Sequence, residues 1–297
     1  MWLFTLIVGL RVLPTLWRRA RKKLWGKPNH FAQSAPRQIP RKIWIYWDSG
    51  ESNAPDLVRT CIASWRNRNP GWDIRVLDAQ TAATIVDLPH DPSKLPVQAY
   101  ADLLRLRLLK QHGGVWADAT TFCLAPLDTW LPVAAQRGFF AFTWTKTDAW
   151  FIWPGMHRSM TNWFLASEPG GRFISAWEDA CFGYWQGRTK PHNYYWPHIM
   201  LDYLYLTSRS FRRAFDDIPK ISCYGAHLVH DAVTQGKNIE ETAALLRTGA
   251  TPVQKLRWNW SAERIAAALE LLQAGQGDPR ISSEPNQAQA GAFARSS

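Results

Sequence analysis

The stretch YADLLRLRLLKQHGGVWADAT, residues 100–120, decides the fold of this chain. Its closely spaced leucines predict a helix over 97–112. Gly113 and Gly114 end that helix, because glycine allows the sharp turn that an adjoining strand requires. The apolar residues that follow predict a strand over 115–122. A helix that leads directly into a buried strand is the building unit of an α/β protein.

The flanking sequence predicts further strands and helices in alternation. We expect strands at 43–47, 72–77, 139–145 and 150–153, helices at 56–67 and 78–86, and mostly helix beyond residue 162. Alternation with short connections is typical of an α/β fold with a mainly parallel sheet flanked by helices. Such sheets bind ligands at the carboxyl ends of their strands. The residues that follow strand 43–47 and those around Asp118 are therefore candidate ligand contacts.

The composition is that of a globular protein. Hydrophobic residues make up 46% of the 297 residues and charged residues 20%, which excludes collagen, wholesale disorder and a polytopic membrane protein. The 18 tryptophans suit a core, a membrane interface or stacking against sugars and bases. The four cysteines form no Cys-x-x-Cys pair, so a cysteine zinc site is not expected. We expect reduced thiols in a cytosolic domain.

The positive charge is concentrated at the N-terminus. Residues 1–27 contain seven arginines and lysines and no acid, so the other 270 residues contribute only +4 to the total of +11. This distribution, without a nucleic-acid-binding motif, favours an anionic membrane surface as partner over nucleic acid. The apolar run MWLFTLIVGL followed by basic residues predicts an interfacial helix or a short signal anchor. Both place the protein at the cytoplasmic face of the inner membrane. The alternative is an amphipathic helix that packs on its own domain.

The rest of the chain divides into three segments. Residues 28–38 have the composition of a polar linker, residues 39–273 form the α/β domain, and residues 274–297 have the composition of a disordered tail.

Four polar residues of the 100–120 stretch are the candidate site. Asp102 and Arg105 are three residues apart on the predicted helix and share a face. Asp118 and Thr120 share a face of the following strand. Two carboxylates, a hydroxyl and a guanidinium suit a phosphorylated, hydroxyl-rich ligand. The alternative for Asp102 and Arg105 is an ordinary surface ion pair.

Three stretches resemble a known family: IPRKIWIYW (39–47), ADLLRLRLLKQHGGVWADAT (101–120) and TNWFLAS (161–167). They are similar to family 32 glycosyltransferases, and more closely to the bacterial capsular polysaccharide synthesis proteins among them. The resemblance extends over roughly residues 39–260. It implies a GT-A fold and transfer of a sugar from a nucleotide-sugar donor, often a UDP-sugar, usually with retention of anomeric configuration. The implied acceptor is a glycan, lipid-linked if it lies at the membrane.

The resemblance also implies roles for individual residues. Trp47 would pack on the nucleobase, while Asp102 and Arg105 would hold the donor sugar. Asp118 matches the first aspartate of the family's Asp-x-Asp motif, near the ribose and a metal ion. Thr120 replaces the second aspartate, so dependence on Mn²⁺ or Mg²⁺ is left open. An ion would have to bind through Asp118 and the donor phosphates.

Segments later in the chain resemble the family more weakly. In 251–258, Lys255 and Trp258 would approach the donor diphosphate, and Lys255 is an alternative to the metal as the neutralising cation. The aromatic-rich segment around 192–202 would line the acceptor side through His192, Tyr195, His198 and Asp202. An aromatic core helix is its alternative. His227 and His230 would touch phosphate, although lone histidines are more often structural.

Two other classes of function remain open at this stage. The missing second aspartate is compatible with a non-catalytic protein that binds a glycan or a nucleotide sugar. The N-terminal segment alone is compatible with a peripheral membrane scaffold, but that hypothesis leaves the 100–120 stretch unexplained.

Overall fold

The computed structural model describes residues 37–89, 94–144, 160–236, 238–249 and 251–275. The N-terminal segment, the predicted strand at 150–153 and residues 276–297 of the predicted tail lie outside the described residues. Within the described part of the chain, no helix is long and apolar enough to cross a membrane.

Short strands and longer helices alternate through the first half of the chain, and helices dominate the second. The strands are β1 (Lys42–Tyr46), β2 (Asp73–Leu77), β3 (Gly114–Ala117), β4 (Thr121–Cys123), β5 (Phe139–Ala141), β6 (Phe164–Ser167) and β7 (Val253–Lys255). The helices are α1 (Asp56–Arg68), α2 (Ala79–Ile85), α3 (Val97–His112), α4 (Leu131–Ala134), α5 (Arg172–Trp185), α6 (Trp196–Thr207), α7 (Arg209–Asp217), α8 (Leu228–Gln235), α9 (Ile239–Arg247) and α10 (Ala262–Gly275). α10 continues two residues past the boundary expected at 273.

The central sheet is mixed, which corrects the prediction of a mainly parallel sheet. Its order is β2-β1-β3-β6-β5, with β1 parallel to β2 and β3, and β6 antiparallel to β3 and β5. The error lies in β6, which falls where mostly helix was predicted. Its four residues FLAS are all buried, and so short an apolar run carries no periodicity that separates strand from helix.

The predicted strand at 115–122 is divided into two strands of different sheets. β3 ends at Ala117, and the backbone turns where the amide of Thr121 donates to the carbonyl of Asp118 at 2.8 Å. β4 then pairs with β7 in a separate antiparallel ribbon. Asp118 and Thr120 therefore lie on a turn at the end of β3, and not along one strand face as predicted.

The sheet separates two apolar cores, as its alternating side chains require. Trp44 and Trp116 belong to the core beneath α3 and α5, whereas Ile43 and Val115 belong to the core beneath α1. The mixed α/β architecture, a central sheet flanked by helices, follows from this burial on both faces.

The predicted helix α3 is confirmed at Val97–His112, and it is buried on nearly every side. This explains why its leucines do not form a single stripe. Its C-terminal half is tied to α5 by Glu178, which is 2% exposed. Glu178 forms an ion pair with Arg107, whose Nε lies 2.6 Å from its Oε1, and accepts a hydrogen bond from Lys110 at 2.7 Å. These contacts fix the helix that carries Asp102 and Arg105.

The turn between α3 and β3 requires glycine at both positions. Gly113 and Gly114 have φ angles of 64° and 96°, which other residues rarely adopt. A Cβ on Gly114 would lie 2.5 Å from the carbonyl oxygen of Lys42 in β1. The pair therefore allows α3 to lead directly into the centre of the sheet.

Candidate active site

A cleft of about 830 Å³ opens where β1 and β3 end. Its walls include the residues after β1, the first half of α3, the turn after β3, the residues just before β6 and the segment after β7. The predicted residues Trp47, Asp102, Arg105, Asp118, Thr120, Tyr195, His198, Lys255 and Trp258 all line it. The structure thus brings these candidate residues together at the carboxyl ends of β1 and β3.

Asp102 and Arg105 form a buried pair on α3, not a surface ion pair. Arg105 Nη2 lies 3.2 Å from Asp102 Oδ1, and the two side chains are 8% and 12% exposed. Asn162, which precedes β6, completes the arrangement. Its Nδ2 donates to Asp102 Oδ1 at 2.9 Å, and its carbonyl accepts from Arg105 Nη1 at 2.6 Å. Asp102 Oδ2 receives no hydrogen bond from the described residues and remains for a ligand.

Asp118 is surrounded by donors. Lys255 Nζ donates to its Oδ2 at 3.1 Å, Trp116 Nε1 donates to its Oδ1 at 2.9 Å, and Arg105 Nη2 lies 3.4 Å from Oδ1. Lys255 also donates to Thr120 Oγ1 at 2.5 Å. One ammonium group therefore bridges Asp118 and Thr120, the two side chains that the sequence resemblance matched to an Asp-x-Asp motif.

The two carboxyl groups have opposite pKa shifts. Burial raises the pKa of Asp102 to about 7, against a partly compensating effect of Arg105. Burial also acts on Asp118, but the charges of Lys255 and Arg105 and the hydrogen bond from Trp116 outweigh it and hold its pKa below the usual value. Asp118 is therefore ionised at neutral pH, while Asp102 titrates near it.

Two tryptophans meet at the mouth of the cleft. Trp47, which follows β1, and Trp258, which follows β7, contact each other edge to face with ring centroids 5.9 Å apart. Trp258 is 52% exposed, so an apolar ring face remains open to a planar ligand.

The segment predicted to line the acceptor side contributes some of its residues to the cleft. Tyr195 and His198 line the cleft, whereas His192 and Asp202 are not among its lining residues. His192 instead pairs with Arg188. Trp196 is 2% exposed and stacks on Tyr184, so the segment is partly the aromatic core helix that was its alternative.

His227 and His230 line the cleft as neutral groups. Burial lowers the pKa of His227 to about 4, and burial also lowers the pKa of His230. His227 Nδ1 lies 2.8 Å from the carbonyl oxygen of Cys223. An uncharged imidazole can donate a hydrogen bond to a phosphate but supplies no positive charge to it.

A sequence profile of the capsular polysaccharide synthesis proteins matches residues 14–271, most of the chain. The chain belongs to this family. The matched region includes the folded domain that carries the cleft. The assignment agrees with the resemblance to capsular polysaccharide synthesis proteins seen in the sequence.

Named relatives of the chain are glycosyltransferases. An O-glycosyltransferase of Annulohypoxylon truncatum, braB, is 27% identical over 66% of this chain and 49% of its own length. A glycosyltransferase of Aspergillus fumigatus, afumC, is 27% identical over 50% of this chain and 41% of its own length. The chain thus spans half or less of these fungal relatives. The structure of the PaToxG glycosyltransferase matches 82% of this chain and 88% of that chain at 13% identity, with a TM-score of 0.39.

The donor set of this family member does not fit an all-protein site for a divalent ion. No group of three or more His, Cys, Asp or Glu side chains is placed to hold a metal in the described ranges. At the predicted metal residue, Asp118, protein donors already engage both carboxylate oxygens, and two of those donors are cations. Mg²⁺ and Mn²⁺ prefer several oxygen ligands, and Asp118 and Thr120 supply only one carboxylate between them.

Two residues of the charged network were not predicted from the sequence. Asn162 lies in the TNWFLAS stretch that carries the resemblance, but no role was assigned to it. Trp116, which donates to Asp118 two residues along the chain, was also given no role. Asn162 was hidden because its contacts with Asp102 and Arg105 depend on β6 lying beside β3.

Proposed function

We propose that this protein is a GT-A-type glycosyltransferase that moves a sugar from a nucleotide-sugar donor, with a UDP-sugar as the first candidate. The acceptor is a glycan in the biosynthesis of a capsular or other cell-surface polysaccharide. The observation that carries the proposal is the charged network of Asp102, Arg105, Asp118 and Lys255. It lies at the carboxyl ends of β1 and β3, in the same cleft as an aromatic pair. Family membership supports it.

The donor is expected to lie along the cleft from the tryptophans to α3. Trp47 and Trp258 would pack on the nucleobase, and Asp118 would lie near the ribose and the diphosphate. Asp102 Oδ2 would accept a hydrogen bond from a sugar hydroxyl, and Arg105 would fix that carboxylate. A buried carboxylate that accepts from a hydroxyl is a strong and directional contact.

The reaction breaks the bond between the anomeric carbon and the phosphate oxygen, and the electron pair stays on the diphosphate. The acceptor hydroxyl forms the new bond to the anomeric carbon, and its proton passes to a phosphate oxygen of the leaving group. We propose that attack occurs on the face the diphosphate leaves, with retention of configuration. The transition state resembles an oxocarbenium ion, so the growing negative charge of the diphosphate needs a cation beside it.

The acceptor would approach past Tyr195 and His198, which line the cleft beside α6. The N-terminal basic segment, residues 1–27, would hold the enzyme on anionic lipid at the cytoplasmic face of the inner membrane of a bacterium, where a lipid-linked glycan is found. Nucleic acid is not an expected partner.

Incubation of the purified protein with UDP-, GDP- and CMP-sugars tests the proposal, with release of free nucleotide as readout. Each sugar is tested with Mn²⁺, with Mg²⁺ and with chelator. We expect turnover of one donor, even as slow hydrolysis, and at least a tenfold loss of kcat/KM in Arg105→Ala. Arg59→Ala, on the exposed side of α1, is the matched control and should retain full activity. Tight nucleotide-sugar binding without any release of nucleotide would instead identify a non-catalytic binding protein.

A further inference from the structure

We propose that the ammonium group of Lys255 takes the place of a divalent cation in this protein, so that the donor diphosphate binds without a metal ion. The inference rests on the proposed function, because it concerns the same donor. It goes further in naming the residue that meets the diphosphate charge and in making the site independent of Mn²⁺ and Mg²⁺.

The first support is the position of the ammonium. Lys255 Nζ lies 3.1 Å from Asp118 Oδ2 and 2.5 Å from Thr120 Oγ1. A metal ion held by an Asp-x-Asp motif would be bound by the side chains at these two positions. Here both side chains hold a protein cation instead.

The second support is that the fold fixes the lysine there. β7 pairs with β4 so that Lys255 lies opposite Thr121, and the amide of Leu256 donates to the carbonyl of Thr120 at 2.8 Å. Gln254, which is fully buried, accepts from the amide of Val229 at 3.0 Å and donates to the carbonyl of Gly225 at 2.7 Å. The backbone that carries Lys255 is therefore fixed by hydrogen bonds of both neighbouring residues, Gln254 and Leu256, which fixes the position of the ammonium group.

The third support is that the network disfavours a second cation. Arg105 and Lys255 lie within 3.4 Å of the two oxygens of Asp118, so a divalent ion at this carboxylate would meet two like charges. Thr120 supplies no negative charge that would balance them. The site therefore combines a neutral side chain at position 120 with the ammonium group of Lys255.

The fourth support is unused donor capacity. An ammonium group has three N–H donors, and the described residues accept two of them, at Asp118 and Thr120. Lys255 lines the cleft and its side chain is 21% exposed. One donor therefore remains for a phosphate oxygen, the use to which lysine is put as a point charge in many phosphate sites.

Calorimetric titration of the full chain with UDP and with GDP tests the inference. For the nucleotide that binds, we expect the same Kd within twofold in chelator and in Mn²⁺. Lys255→Met, which keeps the length of the side chain but not its charge, should weaken diphosphate binding at least tenfold. It should change binding of the corresponding monophosphate much less. Lys255→Arg should retain most of the affinity, and Lys220→Met, outside the cleft lining, is the control for removal of a lysine.

Variants designed to create a metal site test the same inference in the opposite direction. Thr120→Asp alone should create no metal site, because the new carboxylate would pair with Lys255. Thr120→Asp combined with Lys255→Ala should bind Mn²⁺ in the presence of the nucleoside diphosphate, and chelator should then abolish nucleotide binding.

The outcomes separate the inference from the function beneath it. Loss of wild-type diphosphate binding in chelator would overturn the inference and leave a metal-dependent glycosyltransferase. Unchanged diphosphate binding by folded Lys255→Met would also overturn it. Should that variant fail to fold, the wild-type comparison in chelator and Mn²⁺ still decides. If neither nucleotide binds under any condition and no donor is turned over, the proposed function itself fails.

Discussion

Asp102→Asn should stabilise the folded protein above pH 7 while it removes activity. Asp102 is buried, and burial raises its pKa from 3.8 to about 7. Between these two pH values the folded state keeps a proton that the unfolded chain releases. The stabilisation from this group is complete below about pH 4 and is lost as the pH rises to about 7. Each unit of pKa difference corresponds to ~1.4 kcal/mol, so the free energy of unfolding should fall by roughly 4 kcal/mol between pH 4 and pH 7 through this group.

Asparagine has the same shape and carries no charge at any pH. The variant therefore does not lose stability through this group as the pH rises to about 7. Its carbonyl oxygen can still accept from Asn162, as Asp102 Oδ1 does at 2.9 Å. Urea unfolding of wild type and variant at pH 5 and pH 8 measures the effect. The advantage of the variant at pH 8 should exceed its advantage at pH 5 by about 2–3 kcal/mol. Asp56→Asn, at a side chain that is 87% exposed, is the matched control for removal of a carboxylate.

The same variant should lose at least tenfold in kcat/KM, because an amide nitrogen replaces the oxygen that would accept from the donor sugar. Wild-type kcat/KM should rise with pH through about 7 as Asp102 ionises, and the variant should lack that rise. An equal stability difference at pH 5 and pH 8 would contradict the buried, proton-holding carboxyl group. Near-normal activity of the variant would contradict its place in the donor site.

Three further outcomes are expected. Asp118→Ala should abolish nucleotide release, since it removes the anion that holds Lys255; turnover at more than a few per cent of wild type would exclude that role. Deletion of residues 1–27 should release the protein from membranes and preserve donor hydrolysis, because each basic residue at an anionic surface contributes about 1 kcal/mol; sedimentation of the truncated form with membranes would place the anchor elsewhere. Iodoacetamide should label native protein slowly and unfolded protein fully, because burial raises the pKa of Cys61 and of Cys123 to about 12; rapid native labelling would contradict that burial.

Local sequence patterns predicted the part of the site that lies on one element. Asp102 and Arg105 are three residues apart on a helix whose leucines and terminal glycines are visible in the sequence, and their 3.2 Å contact follows from that spacing. The structure adds that the pair is buried, which a helix apolar on nearly every side allows. Asn162 was missed because β6 is too short for its pattern to be recognised, and its contact with Asp102 spans 60 residues.

The position of Lys255 depends on a strand pairing between distant parts of the chain, which no local sequence pattern encodes. The register of β4 against β7 brings Lys255 to Asp118 across 137 residues. The sequence analysis reached Lys255 only through the family resemblance, as an alternative to a metal. The predicted strand at 115–122 also failed for this reason, because the turn at Asp118 is fixed by the partner that β4 finds in β7.

Asp118 and Asp102 have different numbers of cationic neighbours, and this difference separates their pKa values. Asp118 has both Arg105 and Lys255 within 3.4 Å, so it stays ionised and holds the ammonium in the cleft. Among the residues that the structure describes, Asp102 has only Arg105 as a cationic partner, and burial raises its pKa to about 7. Pairs of titratable groups whose environments separate their pKa values are typical of catalytic sites. Asp102 could stay ionised in place of Asp118 only with a second cation beside it. In the described part of the fold, the β4–β7 ribbon places that second cation, Lys255, beside Asp118 instead. Under the proposed function, the donor sugar would therefore meet the titratable carboxyl group of Asp102, and the diphosphate would meet the fixed charge beside Asp118.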